Sequence, residues 1–342
     1  MFRISILIAL IITHISASYA FYVSENDMLS QEARGLLLLG SGVIDSDTSH
    51  FLSTRLMYDI NADNWHVEYQ QIWQQTFFAN IDTYQTKADR LNISYSNDNV
   101  YLKAGRQAIS LTTTFFFSPN DFFAPFTIQS LNRDFKQGVD ALYAETPLGE
   151  LSQLSAVWVN NRDEDIPASS ILRFESVFSN ISWMVLAGEI HQTSLPTQQV
   201  LGGSIQTDLG NLGIRAEGHV STQNKKTSAE WVLGLEQRLS SDITLSGEWF
   251  NHGAAFPTPH LPYTGKQYLA LALNCQFTPL LLGNFSIIKN INDQSQLGTA
   301  YINYSLSNES TLNVSILLPS GKTLSEFTTY PKLYALDYQI YF

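Results

Sequence analysis

From about residue 34 onward, apolar and polar residues alternate one by one in segments of about ten, the period of a β-strand whose two faces meet different surroundings. Leu91, Ile93 and Tyr95 alternate with Asn92, Ser94 and Ser96, and Leu154, Ala156 and Trp158 alternate with Gln153 and Ser155. Leu172, Phe174 and Phe178 interleave with Arg173 and Glu175, and Leu212, Ile214, Ala216 and Val220 with Arg215, Glu217 and His219. Trp231, Leu233 and Leu235 interleave with Glu230, Gly234 and Glu236, and Ile243, Leu245 and Trp249 with Thr244, Ser246 and Glu248. One face of each strand is apolar or aromatic and the other carries charge. Two stretches break the pattern. At 35–44 successive leucines interrupt the alternation, and 65–78 is longer than one crossing of about ten residues.

The connections between these segments alternate in length. Turn-forming residues give short links at 61–64, 96–99, 147–150, 179–180, 209–211, 240–242, 278–279 and 307–310. Longer polar stretches stand at 45–50, 80–87, 160–167, 193–198, 223–227, 252–265, 290–295 and 319–331. Short turns on one side and long loops on the other predict an all-β, up-and-down antiparallel barrel that crosses a membrane. The count is about eighteen strands, with sixteen as the alternative; an even number returns both ends of the chain to the short-turn side. The last strand puts Tyr334, Leu336, Tyr338, Ile340 and Phe342 on one face. In water such a face beside an unpaired edge invites aggregation, and against lipid it does not. It is expected to close the barrel by pairing with the first strand near 34–44.

Compartment and composition narrow this picture. Arg3, an apolar run from Ile4 to Ile12 and small residues at Ser18 and Ala20 read as an export signal cleaved after residue 20. Residues 21–33 then form a periplasmic segment and 34–342 the barrel. A single cysteine, Cys275, rules out an internal disulfide, a C-x-x-C-H haem attachment and a four-thiolate metal site, so no cofactor or metal is expected. The net charge of −12 and the absence of a basic run longer than Lys225-Lys226 argue against nucleic acid as a partner. Charge near the middle of the lipid face costs about 2–4 kcal/mol for Arg or Lys, so charged strand residues belong to the lumen. The lumen candidates are Arg55, His66, Glu68, Lys103, Arg173, Glu175, Arg215, Glu217, Glu230, Glu236, Arg238, Glu248 and Asp337. Their mixed signs in an acidic chain imply a weak preference for cations.

The segment from Gly105 to Asp140 departs from all of this. It contains Gly105-Arg106-Gln107, then Thr112-Thr-Thr-Phe-Phe-Phe117, then Pro119-Asn-Asp-Phe-Phe-Ala-Pro125, and ends with Arg133 and Gly138-Val-Asp140. So many phenylalanines do not stay on a surface loop. The stretch 112–137 is therefore expected to fold inward and narrow a pore. A Gly-Arg-Gln strand end, a Pro-x-Asp-x-Phe-x-Pro loop and a following Gly-x-Asp strand resemble the porin-like outer-membrane barrels of Gram-negative bacteria, including relatives of polysaccharide-export channels. The resemblance implies that the inward loop constricts the pore and that Arg106, Gln107, Asp121 and Asp140 select solutes there. Arg106 and Gln107 are neighbours and need a bulge to face the lumen together. The alternative is a rim or loop-anchoring ion pair of Arg106 or Arg133 with Asp121. The C-terminal pattern resembles the signal read by the barrel-assembly machinery.

On this reading the chain is a non-enzymatic channel for small hydrophilic solutes, set in outer-membrane lipid, monomeric or homo-oligomeric. Two other functions remain open at this level. One is a sheath or export barrel serving an accessory lipoprotein or an electron-carrying cytochrome. The other is an outer-membrane hydrolase using rim histidines, His191, His252 or His260, for which the sequence fixes no triad.

Overall fold

The computed structural model describes residues 22–26, 29–78, 81–127, 130–131, 133–161, 166–193, 195–253 and 261–342. The export-signal reading of residues 1–20 lies outside the described residues. The strands in chain order are β1 (Tyr22–Asn26), β2 (Leu29–Ile44), β3 (Asp47–Ala62), β4 (Trp65–Phe78), β5 (Ile81–Ser96), β6 (Tyr101–Gln107), β7 (Val139–Pro147), β8 (Ser152–Asn161), β9 (Ile166–Phe178) and β10 (Ile181–Ile190). They continue as β11 (Gln198–Leu209), β12 (Leu212–Gln223), β13 (Lys226–Arg238), β14 (Ile243–Asn251), β15 (Gln267–Thr278), β16 (Leu281–Asn290), β17 (Gln296–Ser307), β18 (Ser310–Ser320) and β19 (Leu333–Tyr341).

Each strand from β2 to β19 pairs antiparallel with its sequence neighbour, and β19 pairs back onto β2. Eighteen strands thus close a ring with no free edge along the membrane, the count expected from the alternation. The short β1 lies outside the ring. It bonds Leu29–Ala33 of β2, on the edge where β19 bonds residues 36–44, so β1 and β19 share one edge end to end. The first barrel strand therefore starts at Leu29, earlier than the boundary at 34 read from the sequence.

Three stretches read as long loops are strand and tight turn instead. Residues 47–50 belong to β3, residues 81–87 to β5, and 226–227 to β13. The β2–β3 link is Asp45-Ser46 with Asp45 at φ 53°, and the β12–β13 link is Asn224-Lys225 with both residues at positive φ. The physical reason is length. Strands β2, β3 and β5 run 16 residues, about 53 Å of extended chain, whereas the apolar belt of such barrels is about 25 Å tall. The outer ends of β2–β5 stand above the membrane with both faces in water, so nothing there selects for alternation. Residues 81–86 are exposed without exception.

The failed alternation at 35–44 has its own cause at the closing seam. Leu37 and Leu39 stand opposite Ile340 and Tyr338 on the outer face, whereas Leu36 and Leu38 stand opposite Tyr341 and Gln339 on the inner face, so apolar side chains point both ways. The last residue caps this seam: Phe342 N–H donates to the Gly35 carbonyl at 2.9 Å, and Gly35 N–H donates to the Phe342 carbonyl. A Cβ at Gly35 would overlap the Phe342 ring, and one at Gly40 the Phe51 ring, so glycine at both positions makes room for an aromatic side chain on the neighbouring strand.

Around the rest of the wall the outer face is apolar and open. Leu91, Leu142, Leu172, Leu201, Leu235, Leu271 and Leu336 are all exposed there, and Trp158, Trp231 and Trp249 join them. Their strand neighbours Asn92, Glu230, Ser246 and Glu248 are buried inside. Apolar outside and polar inside is the inverse of a soluble barrel and fits lipid.

Candidate functional site: the inward loop and the lumen wall

Strand β6 ends after seven residues, and the chain leaves the wall until Val139. The connection 108–138 crosses the lumen. Its Ile109, Leu111, Phe122 and Phe123 pack with Val139, Val157, Ile171, Met184 and Leu186 on the inner faces of β7–β10. Phe117, wholly buried, stacks on Phe250 of β14 at 5.0 Å and meets Tyr263 and Tyr268 at 5.4 and 6.0 Å, inside a second cluster on β13–β18. Burying phenylalanines of this size is worth about 1.5–3 kcal/mol each, which explains why the loop turns inward.

An irregular segment inside a barrel must satisfy its own backbone donors. Two wall carboxylates do this. Glu217 of β12 accepts from Thr113 N–H at 2.6 Å, from the Thr112 hydroxyl at 2.9 Å and from the Thr113 hydroxyl at 3.1 Å. Glu248 of β14 accepts from the N–H groups of Phe115, Phe116 and Phe117 at 2.6, 2.9 and 3.0 Å. Charge-assisted bonds of this kind are about twice as strong as neutral ones. Both carboxylates are almost wholly covered. Read from the sequence as pore-lining charges, they stand in the interior but beneath the loop, which they hold.

The return limb is clamped separately. Lys136 donates to Asp121 at 2.6 Å, joining the two limbs of the loop where the sequence suggested Arg106 or Arg133 as the partner of Asp121. Burial pushes the Asp121 carboxyl up and the Lys136 amine down, and each partner partly restores the other. Asn120 donates to the Gly203 carbonyl at 3.2 Å and contacts His219 at 3.3 Å. Arg133 donates to the carbonyl of Phe115 and to that of Ser130, and lies 5.6 Å from the Phe126 ring.

The remaining candidates fall into two groups on the wall. On β2–β6 Arg34 pairs with Asp59 at 2.8 Å, Arg55 with Asp89 at 2.7 Å, Arg90 with Asp89 at 2.9 Å and Lys103 with Glu68 at 3.2 Å. The register between β4 and β5 slips at Asp89, because Gln70 faces Arg90 and Gln71 faces Ala88. This bulge lets the adjacent Asp89 and Arg90 both reach buried partners on the inner side. Nothing in the sequence singled out these two residues, since a bulge leaves no mark in an alternation that had already faded above the membrane. Arg55 also lies 4.0 Å over the loop's Phe135 ring. On β9–β13 Arg173 pairs with Glu175 at 3.4 Å, and Arg215 with Glu236 at 3.7 Å while lying 4.0 Å over the Phe115 ring.

Arg106 and Asp140 face each other on β6 and β7 and form two bonds of 2.9 Å. By register they share the face of Leu91 and Leu142, the outer one, at the end of the wall where the loop departs. Gln107 takes the inner side and spends its amide on the carbonyls of Lys103, Gly105 and Ala141. The structure thus resolves the parity of this adjacent pair by dividing it between the faces. Of the rim histidines, His252 contacts the Gly265 carbonyl at 3.1 Å and His191 the Thr197 hydroxyl at 3.3 Å, while His260 lies outside the described residues.

A closed eighteen-stranded wall with an apolar outer belt, a polar inside and one long inward loop has the fold of a multi-pass transmembrane antiparallel β-barrel. No protein-family model and no curated protein matches the chain. Solved structures do. The chain is similar to OccD3 (OpdP) of Pseudomonas aeruginosa, with TM-score 0.64 and 12% identity over 94% of this chain and 93% of that one. It is also similar to Pseudomonas aeruginosa OprD, with TM-score 0.61 and 11% identity over 91% of this chain and 95% of that one. A mutant of Rh. blastica porin follows at TM-score 0.52 and 10% identity, covering 91% of this chain and all of the other.

Proposed function

We propose that the protein is an outer-membrane channel through which small hydrophilic solutes diffuse with weak selectivity, and not an enzyme. The observation that carries this reading is the loop 108–138 held across the lumen by Glu217 and Glu248. A barrel of this strand number encloses an aqueous space, and a segment pinned across it sets how wide the passage is. Weak selectivity follows from the charges. Most arginines and lysines on the inner wall have a carboxylate within 4 Å, so neither sign dominates. The alternating outer face of β19, ending at Phe342, is the part we assign to recognition by the assembly machinery.

Planar-bilayer recording of the purified full-length protein tests the reading. Discrete open-channel steps are expected, with a reversal potential in a salt gradient only slightly displaced towards cations. Replacing residues 113–126 by a short glycine-serine link should enlarge the steps. A barrel that inserts yet stays silent with and without these residues would refute the channel.

A further inference from the structure

Below the inward loop, on the inner faces of β14–β19, the lumen changes character. Among the described residues these faces carry no lysine or arginine, in contrast to β2–β6 and β9–β12. Instead, register places Thr244, Asn274, Asn284, Tyr301 and Ser315 in one continuous cross-strand row from β14 to β18. Beside it lies a second row, Gln276, Leu282, Asn303, Asn313 and Asp337, from β15 to β19. The amides bond along the rows: Asn284 donates to Asn274, Asn303 to Asn313 at 2.6 Å, and Asn313 to Asp337 at 2.7 Å. A carboxamide has two N–H donors and an oxygen with two lone pairs, so the one bond between them leaves Asn274 and Asn284 with both donor and acceptor capacity, while Asn303, which also bonds Tyr301, keeps its oxygen as an acceptor. These residues line a cavity of about 530 Å³ with Tyr301, Leu282 and, from the loop itself, Asp134.

We propose that this cavity is a binding subsite for a neutral saccharide on its way through the channel. The inference rests on the channel reading and gives that channel a substrate class. A hydroxyl is at once donor and acceptor, and fixed carboxamides, which are also both, meet a ring of hydroxyls without an unpaired group on either side. The Tyr301 ring and Leu282 supply the apolar surface that a sugar's C–H face requires, and such sites combine an apolar wall with a few placed polar groups. Asp242 and, from the loop, Asp134 bring carboxylates to the cavity lining. Lys289 of β16 shares the outer face with Leu269, and the one cation the register brings to the edge of the row is Arg238 of β13, opposite Thr244, so a carboxylate solute meets a single guanidinium against two cavity carboxylates. Asp134 ties the subsite to the constriction, since it comes from the segment that narrows the pore.

The test uses the full-length protein in planar bilayers in potassium chloride, with maltose, lysine and succinate added separately. Maltose is expected to lower the open-channel current saturably, and N284A/N303A or Y301A should raise the half-blocking concentration about tenfold, a loss of about 1.4 kcal/mol. If the double variant does not insert, N303A alone provides the comparison. Block by lysine and none by maltose would overturn the proposal in favour of a cationic amine held by the carboxylates. Saturable block by maltose that is indifferent to these variants would also overturn it. Titration calorimetry of maltose into the detergent-solubilised barrel keeps the two readings apart. Binding without conductance would sink the channel and keep the subsite, and conductance without binding would sink the subsite alone.

Discussion

Glu248 shows how a single buried carboxylate can organise a loop. Three successive N–H groups, those of Phe115, Phe116 and Phe117, end on its two oxygens, and the rings of Phe116 and Phe117 then enter an apolar cluster that shields those bonds from water. The bonds and the burial depend on each other, because unpaired N–H groups in that cluster cost about 1–3 kcal/mol each. E248A is therefore expected to undock the front of the loop. The measurement is single-channel current, which should become noisy and larger on average, with E248Q intermediate because the amide keeps one oxygen. Wild-type current traces from E248A would show that the phenylalanines alone hold the loop. The sequence identified Glu217 and Glu248 as interior residues, because parity along β12 and β14 decides that. It did not tell that both would be covered, since the donors that claim them lie about a hundred residues earlier in the chain.

At the level of the strand, the seam between β2 and β19 carries the closure. Gly35 accepts Phe342 from both its backbone and its open face, and Gly40 accepts the Phe51 ring. G35A puts a methyl group where the Phe342 ring sits, so the last residue must leave its place and the end of the seam loses two backbone bonds. The folded fraction after refolding, read by heat-modifiable migration on gels, should fall clearly for G35A and for F342A. An equal loss in the combined variant would show that both act through one contact. If G35A refolds like the parent, the ring is not seated on Gly35. Strand existence was legible wherever one face meets lipid and the other water. It was not legible at 47–50 and 81–87, where strands continue above the membrane and both faces meet the same solvent.

For the whole barrel, the division of apolar and polar surface is the defining property. Trp158, Trp231 and Trp249 are open on the outer face and belong to the belt that meets lipid. Brominated phospholipids should therefore quench most of the tryptophan fluorescence of the reconstituted protein, while a water-soluble quencher confined to the lumen and bulk should remove little. The opposite ranking would place the outer face in water and overturn the membrane assignment. Inside, the wall divides into a sector of paired cations and anions on β2–β6, apolar sectors where the loop packs, and an amide sector on β14–β19.

The alternation of residues determined, without any structure, that this chain is an antiparallel barrel of about eighteen strands with one face towards lipid, because a strand's period of two records its surroundings residue by residue. The phenylalanines of 115–123 determined that the loop turns inward, since that much apolar surface must be covered. Only the tertiary structure decided what each interior charge does. Whether Glu217 faces solute or holds a loop, whether Arg106 reaches the lumen or pairs with Asp140 on the outer side, and whether Asp89 and Arg90 share a bulge depends on register and on partners far away in the chain. Those are properties of the closed wall, and no local pattern in the sequence encodes them.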